Sequence, residues 1–228
     1  QSSDSTSQNT EHALLIDISD VFLRGPIHLL RNRHQLGVAL TWTNGLFISP
    51  DWLFSVSEAA SSFSSIGLSL TNVTCYAGAG LLRLPVPDTV GLILADLHFN
   101  DCIFATALGN PLLVISHPVQ ETQINVPLSI NGQNNGFYQS VVILEQHFVD
   151  DLGDSQQFTL DRLNLELQTA TAPEWYNLKD SDAMVRWANP QVPPADVPSH
   201  QQTLDHYRLD DFAEQKRGIN PERPGFPD

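Results

Sequence analysis

Residues Gln123 to Leu144 run Gln-Ile-Asn-Val-Pro-Leu-Ser-Ile, then Asn-Gly-Gln-Asn-Asn-Gly, then Phe-Tyr-Gln-Ser-Val-Val-Ile-Leu. Ile124, Val126, Leu128 and Ile130 recur at every second position, which puts all four on one face of a pleated strand. The polar six, Asn131 to Gly136, hold two Asn-Gly pairs, residue types that tolerate the positive φ of a tight reversal. The stretch predicts a β-hairpin. Pro127 donates no ladder hydrogen bond, so its strand is expected at a sheet edge or at a bulge.

Working outward, the same signals repeat. Ala13 to Ile18 reads as a first strand. Gln35 to Thr43 alternates Leu36, Val38, Leu40 and Trp42, and Asn44-Gly45 gives a second hairpin signal before Leu46 to Ile48. Ser49-Pro50-Asp51 resembles a helix start, with a short helix expected after it, although Trp52, Phe54 and Val56 also alternate. Parity changes at Asn72, as at a bulge, between Leu68, Leu70 and Val73, Cys75. Further strands follow through Ser116, and Leu163, Leu165 and Leu167 form the last one, led by Phe158 and Leu160. About eight to ten short strands with Gly, Asn, Asp and Pro turns predict an all-β, antiparallel sandwich or jelly roll. No helical pattern alternates with the strands, which argues against a parallel α/β sheet.

This reading divides the chain into a flexible arm at 1–12, a jelly-roll domain at 13–170 and a Pro-rich C-terminal arm at 171–228. Short helices are expected at Asp180 to Ala188 and Thr203 to Lys216. The arm is too small for a core of its own and too aromatic for a free linker. It is expected to pack on its own barrel or on a neighbouring subunit.

Composition narrows function mainly by exclusion. Net charge is −15, with 26 acidic residues, and Lys179 and Lys216 are the only lysines. A phosphate backbone would be repelled, so direct nucleic-acid binding is not expected. Abundant Asp with scarce Lys suits a high-salt solvent, where screening removes self-repulsion, and equally an acidic extracellular protein. No apolar run approaches a membrane span. Cys75 and Cys102 are too few for a disulfide scaffold. They read as two buried thiols or one bridge between adjacent strands.

No nucleophile elbow, phosphate loop or zinc signature occurs, so no catalytic residue and no cofactor are expected. Asp96 and His98, two apart on one strand, and Glu145 and His147 on another would hold a divalent metal if all four met inside a barrel. Outward-facing polar groups are the plainer reading. Arg31, Arg33 and His34 form a small basic cluster best read as a solvated turn.

The opening Ser2-Ser-Asp-Ser-Thr-Ser-Gln-Asn-Thr-Glu-His12, the following Ala13-Leu-Leu-Ile-Asp-Ile18, the strand series and the long Pro-rich arm together resemble a viral family. The chain is similar to major capsid proteins of tailless icosahedral, internal-membrane viruses of haloarchaea, most of all the larger of the two. That resemblance implies a virion protein with a single upright jelly roll. Its capsomers would be pseudo-hexameric, built as a homo-oligomer or with a smaller companion capsid protein, above an internal membrane. Trp175, Trp187, Tyr207 and Phe212 are then the expected inter-subunit anchors. Two other classes fit the residues: a secreted carbohydrate-binding or adhesion β-sandwich with an exposed aromatic platform, and a cupin-like metal enzyme.

Overall fold

The computed structural model describes residues 13–32, 37–56, 64–84, 93–117, 128–138, 142–148, 155–163, 176–181, 186–187, 189, 191, 201, 203–207, 209–210 and 217–218. Two sheets are built rung upon rung. The first takes β1 (Ala13–Arg24), β3 (Gly37–Ser49), β5 (Ser64–Ala77), β7 (Ile93–Asn100), β10 (Leu128–Gln133) and β14 (Tyr176–Lys179) in that order. Short strands β8 (Ile103–Ala105) and β11 (Gly136–Tyr138) prolong β7 and β10. The second sheet takes β2 (Leu30–Asn32), β4 (Trp52–Val56), β6 (Gly80–Leu84), β9 (Leu113–His117), β12 (Leu144–Phe148) and β13 (Ser155–Phe158). The chain alternates between the sheets, one strand each per rung, and closes about four turns of a β-solenoid.

Among the described residues every strand pairing is parallel and in register except β12 with β13, which is antiparallel. The antiparallel jelly roll expected from the sequence is therefore not what the chain forms. The crossovers that a parallel sheet requires are made by the second sheet rather than by helices.

The stack explains why these residues form strands. Val38, Ile66, Ala95 and Leu128 lie directly above one another, as do Leu40, Leu68, Leu97 and Ile130. All eight are between 0% and 4% exposed. The column Phe47, Cys75, Phe104, Phe137 does the same further along, with Phe104 and Phe137 stacked at 5.6 Å. Each rung thus supplies like side chains to the same place in the core, and burying them holds the rungs together.

The inward parity flips in every rung: Leu40 and Trp42 point inward before Asn44, Phe47 after it. At each flip stands one Asn or Asp in the left-handed region: Asp20, Asn44, Asn72, Asp101, Asn134 and Asp180, with φ between 50° and 54°. These are the residues besides glycine that visit this region most readily. They bend the strand into two legs without reversing it.

Both expected hairpins are instead such bends. A type I′ reversal needs two consecutive positive φ angles. At Asn44-Gly45 only Asn44 has one, and a Cβ on Gly45 would collide with the Trp42 indole, so this glycine makes space rather than a turn. At the second site Gly132 and Asn134 have positive φ but are separated by Gln133, and the chain runs on from β10 into β11. A Cβ on Gly132 would strike the Phe99 carbonyl of the rung before. Ile124, Val126 and Pro127 lie outside the described residues.

Other expected elements change too. Ser49 ties two rungs rather than capping a helix: its Oγ donates to Ile27 O at 2.7 Å and accepts from the amides of Ile27 and Asp51. After β13, Thr159 caps a single helical turn, Leu160–Arg162, and Leu163 is buried beside it, while Leu165 and Leu167 lie outside the described residues. Where a helix was expected from Asp180, Asp180 is left-handed and Trp187 bridges antiparallel to Leu209. The helix expected from Thr203 is a 3-10 turn, Leu204–Tyr207.

Candidate functional site

Parity on the first leg of the first sheet decides what faces outward. Three rows of side chains run along the solenoid axis in register. Asp17, Thr41, Ser69, His98 and Asn131 form one row, and Ser19, Thr43, Thr71, Asn100 and Gln133 form the next. Leu15, Ala39, Gly67, Asp96 and Ser129 form the third. Neighbouring positions stand about 4.8 Å apart across strands and about 6.6 Å apart along them. Twelve of the fifteen are polar, and no Lys or Arg is among them.

The face has relief. A Cβ on Gly67 would meet the Ala39 Cβ at 3.6 Å, an ordinary contact, so packing does not demand a glycine there. With Ala39 it leaves a low lane between Leu15 on one side and Asp96 on the other. His98 Nε2 lies 3.1 Å from Asp96 Oδ2, the side chains 47% and 60% exposed, and Asn131 Nδ2 donates to Ser129 Oγ at 2.6 Å.

The two carboxylate–imidazole pairs do not converge. Glu145 and His147, 2.8 Å apart, lie on the second sheet, where Leu144 and Gln146 take the inward positions. The core separates them from Asp96 and His98, and no metal-binding cluster occurs among the described residues. A parallel stack keeps residues two apart on one strand together but cannot fold one sheet's outer face onto the other's.

Cys75 and Cys102 are both buried and free. The Cys102 thiol donates to Asn100 O at 3.2 Å, and burial pushes its pKa up to about 12. Burial raises Cys75 further, with the neighbouring Cys102 adding to it. Of the basic cluster, Arg31 is exposed on β2, and Arg33 and His34 lie outside the described residues.

Trp187 and Tyr207, expected as inter-subunit anchors, are each 1% exposed within the chain itself. They cover the outer face of the second leg with Leu209, against Leu46, Ile103 and Ala105. Trp187 meets Tyr138 at 4.9 Å and Tyr207 edge-on at 6.1 Å. Farther along, Gly218 N donates to Asp101 O at 2.6 Å and Arg217 Nε to Asn134 Oδ1 at 2.9 Å. Trp175 and Phe212 lie outside the described residues.

Reading the sequence alone missed the rows centred on Thr41, Ser69 and Asn131. Their signal was the polar half of each alternating run, which gains meaning only once the runs are stacked in parallel. No family model, curated protein or solved structure matches this chain, so its functional reading rests on this geometry.

Proposed function

We propose that the chain is a non-catalytic binding or adhesion module that takes an extended, neutral glycan across the outer face of the first leg. The observation that carries this is the in-register grid of hydroxyl, imidazole and carboxamide side chains from Thr41 through Asn131. Its spacing across strands is close to the length of one sugar unit, so successive rungs can meet successive hydroxyl groups. A net charge of −15 disfavours polyanions and leaves neutral polymers as the fitting class.

The aromatic platform expected of a sugar-binding sandwich has no counterpart in these rows. Binding would rest on hydrogen bonds, each worth little net against water. Affinity per site would be weak and useful through multivalency. The resemblance to capsid proteins implied an upright jelly roll, and that implied fold is not the one the chain forms.

The test is affinity electrophoresis of the full chain through gels holding neutral glucans, mannans or galactans, with anionic polymers as controls. Retardation by a neutral glycan, lost in a Thr41→Val, Ser69→Ala double variant and kept in Arg83→Ala on the second sheet, supports the proposal. Retardation by none of the neutral polymers, or loss in Arg83→Ala alone, would sink it.

A further inference from the structure

The two ends of the solenoid differ. At the C-terminal end the core is closed: Phe158, Leu160, Leu163 and, on the last strand of the first sheet, Leu178 are 1%, 6%, 0% and 3% exposed. At the N-terminal end the core stops. In the column that begins with Leu14, the following residues Val38, Ile66, Ala95 and Leu128 are 4%, 3%, 2% and 0% exposed, while Leu14 is 49% exposed. Ile16, Ile18, Val21, Leu23, Ile27 and Leu30 are likewise only partly buried against the core. Among the described residues β1 (12 residues) is the end strand of its sheet and pairs with a strand on one side alone, with β3.

An edge this long is normally blunted by proline, lysine or an inward-pointing charge. β1 has none of these: its inward positions are Leu14, Ile16, Ile18, Val21 and Leu23.

We propose that a second copy of the chain closes this end, docked N-terminal end to N-terminal end about a two-fold axis, with the two β1 strands antiparallel. Charge selects the register. Opposing Ile18 with Leu23 of the second copy keeps inward side chains facing inward and sets the two Asp20 bends beside each other. It also places Asp17 across from Arg24 of the second copy, twice by symmetry. Shifting β1 by one inward-facing pair instead sets Asp17 against Phe22. The closed C-terminal end stops growth at two copies, because a head-to-tail fibre would need both ends open.

The experiment is sedimentation velocity of the full chain over a concentration series at low and high salt. A dimer is expected, tightening as salt screens the −15 carried by each copy. Asp17→Arg and Arg24→Asp should each weaken it by about tenfold, since two attractive pairs become repulsive. The double reversal should restore it. Leu14→Asn, at a side chain 49% exposed in the single chain, should weaken it as well. Circular dichroism of each variant confirms the solenoid. A monomer under every condition, open-ended filaments, or a dimer indifferent to both single reversals would overturn the proposal.

Discussion

If the left-handed corner residues hold the solenoid's shape, Asn44 is where this should show most clearly. Asn44 is 1% exposed, has φ 53°, and donates from Nδ2 to Asp20 Oδ1 at 2.7 Å. Asn44→Ala loses two things. A Cβ residue without a local hydrogen-bonding side chain costs about 1–2 kcal/mol in this region. The bond to a carboxylate contributes about 1.5 kcal/mol, the low end of the charged range, because Asp20 is half-buried. The expected destabilisation is about 2–4 kcal/mol, or a Tm lower by roughly 5–12 °C for a chain of this size. Asn44→Gly loses the hydrogen bond but keeps the backbone geometry, so it should be about 1 kcal/mol less damaging than Ala despite glycine's larger entropic cost. Thermal and urea unfolding followed by circular dichroism measure both. Glycine proving equal to or worse than alanine would refute the requirement for positive φ at this corner.

Other expectations test the remaining links. Thr43→Cys with Thr71→Cys should oxidise spontaneously, since the two are partners on parallel strands about 4.8 Å apart, within disulfide reach. A hairpin at Asn44-Gly45 would instead bring Thr43 to Leu46, and the absence of the bond in a peptide map would count against the parallel register. Trp187→Ala should cost about 3–5 kcal/mol in urea unfolding, because a 1% exposed indole leaves a cavity between Tyr138 and Tyr207. A loss below about 1 kcal/mol would mean that the C-terminal segment does not hold to the solenoid. Cys75 and Cys102 should resist thiol reagents until the chain unfolds. Their folded pKa values are raised, so both thiols are neutral in both states below the unfolded value near 9, and stability is unaffected there. As pH climbs from about 9 toward 12 the unfolded thiols ionise while the folded ones do not, and stability falls. A Tm flat across that window in wild type, or a fall unchanged in a Cys75→Ala, Cys102→Ala variant, would contradict the assignment.

How far the sequence discloses this architecture depends on the scale at which it is read. Strand content is local and legible: Leu128 and Ile130, or Leu36 through Trp42, alternate plainly. The parity change at Asn72 is equally plain in the alternation of apolar residues on either side of it. What stays hidden is strand direction, because Asn-Gly serves a reversal and a bend equally well. Telling them apart requires knowing whether one residue or two adopt positive φ, and Gly45 is small for the sake of Trp42, a contact that exists only after folding. The repeat is disguised as well. The corner residues recur at positions 20, 44, 72, 101, 134 and 180, intervals too unequal to present as a period. The outer face inherits that difficulty, since Thr41, Ser69 and Asn131 become neighbours only through a register set by the core.

The chemistry of the corner shows why this chain, rich in Asp, can stack carboxylates at all. An ionised carboxylate only accepts hydrogen bonds, whereas a carboxamide donates and accepts. Two Asp residues in successive rungs would set acceptor against acceptor about 4.8 Å apart. The order Asp20, Asn44, Asn72, Asp101, Asn134, Asp180 never does so. Asn44 donates to Asp20, and Asn134 donates to Asp101, both at 2.7 Å. Asn134 Oδ1 then takes the Arg217 guanidinium, a cation delivered from 83 residues away. The C-terminal segment therefore meets the solenoid twice, through the apolar cover of Trp187 and Tyr207 and through a charge placed on the ladder. That second contact depends on chemistry, for an Asp at 134 would have no proton to give Asp101. The corner thus sets both the bend of each rung and the place where the chain's end is received.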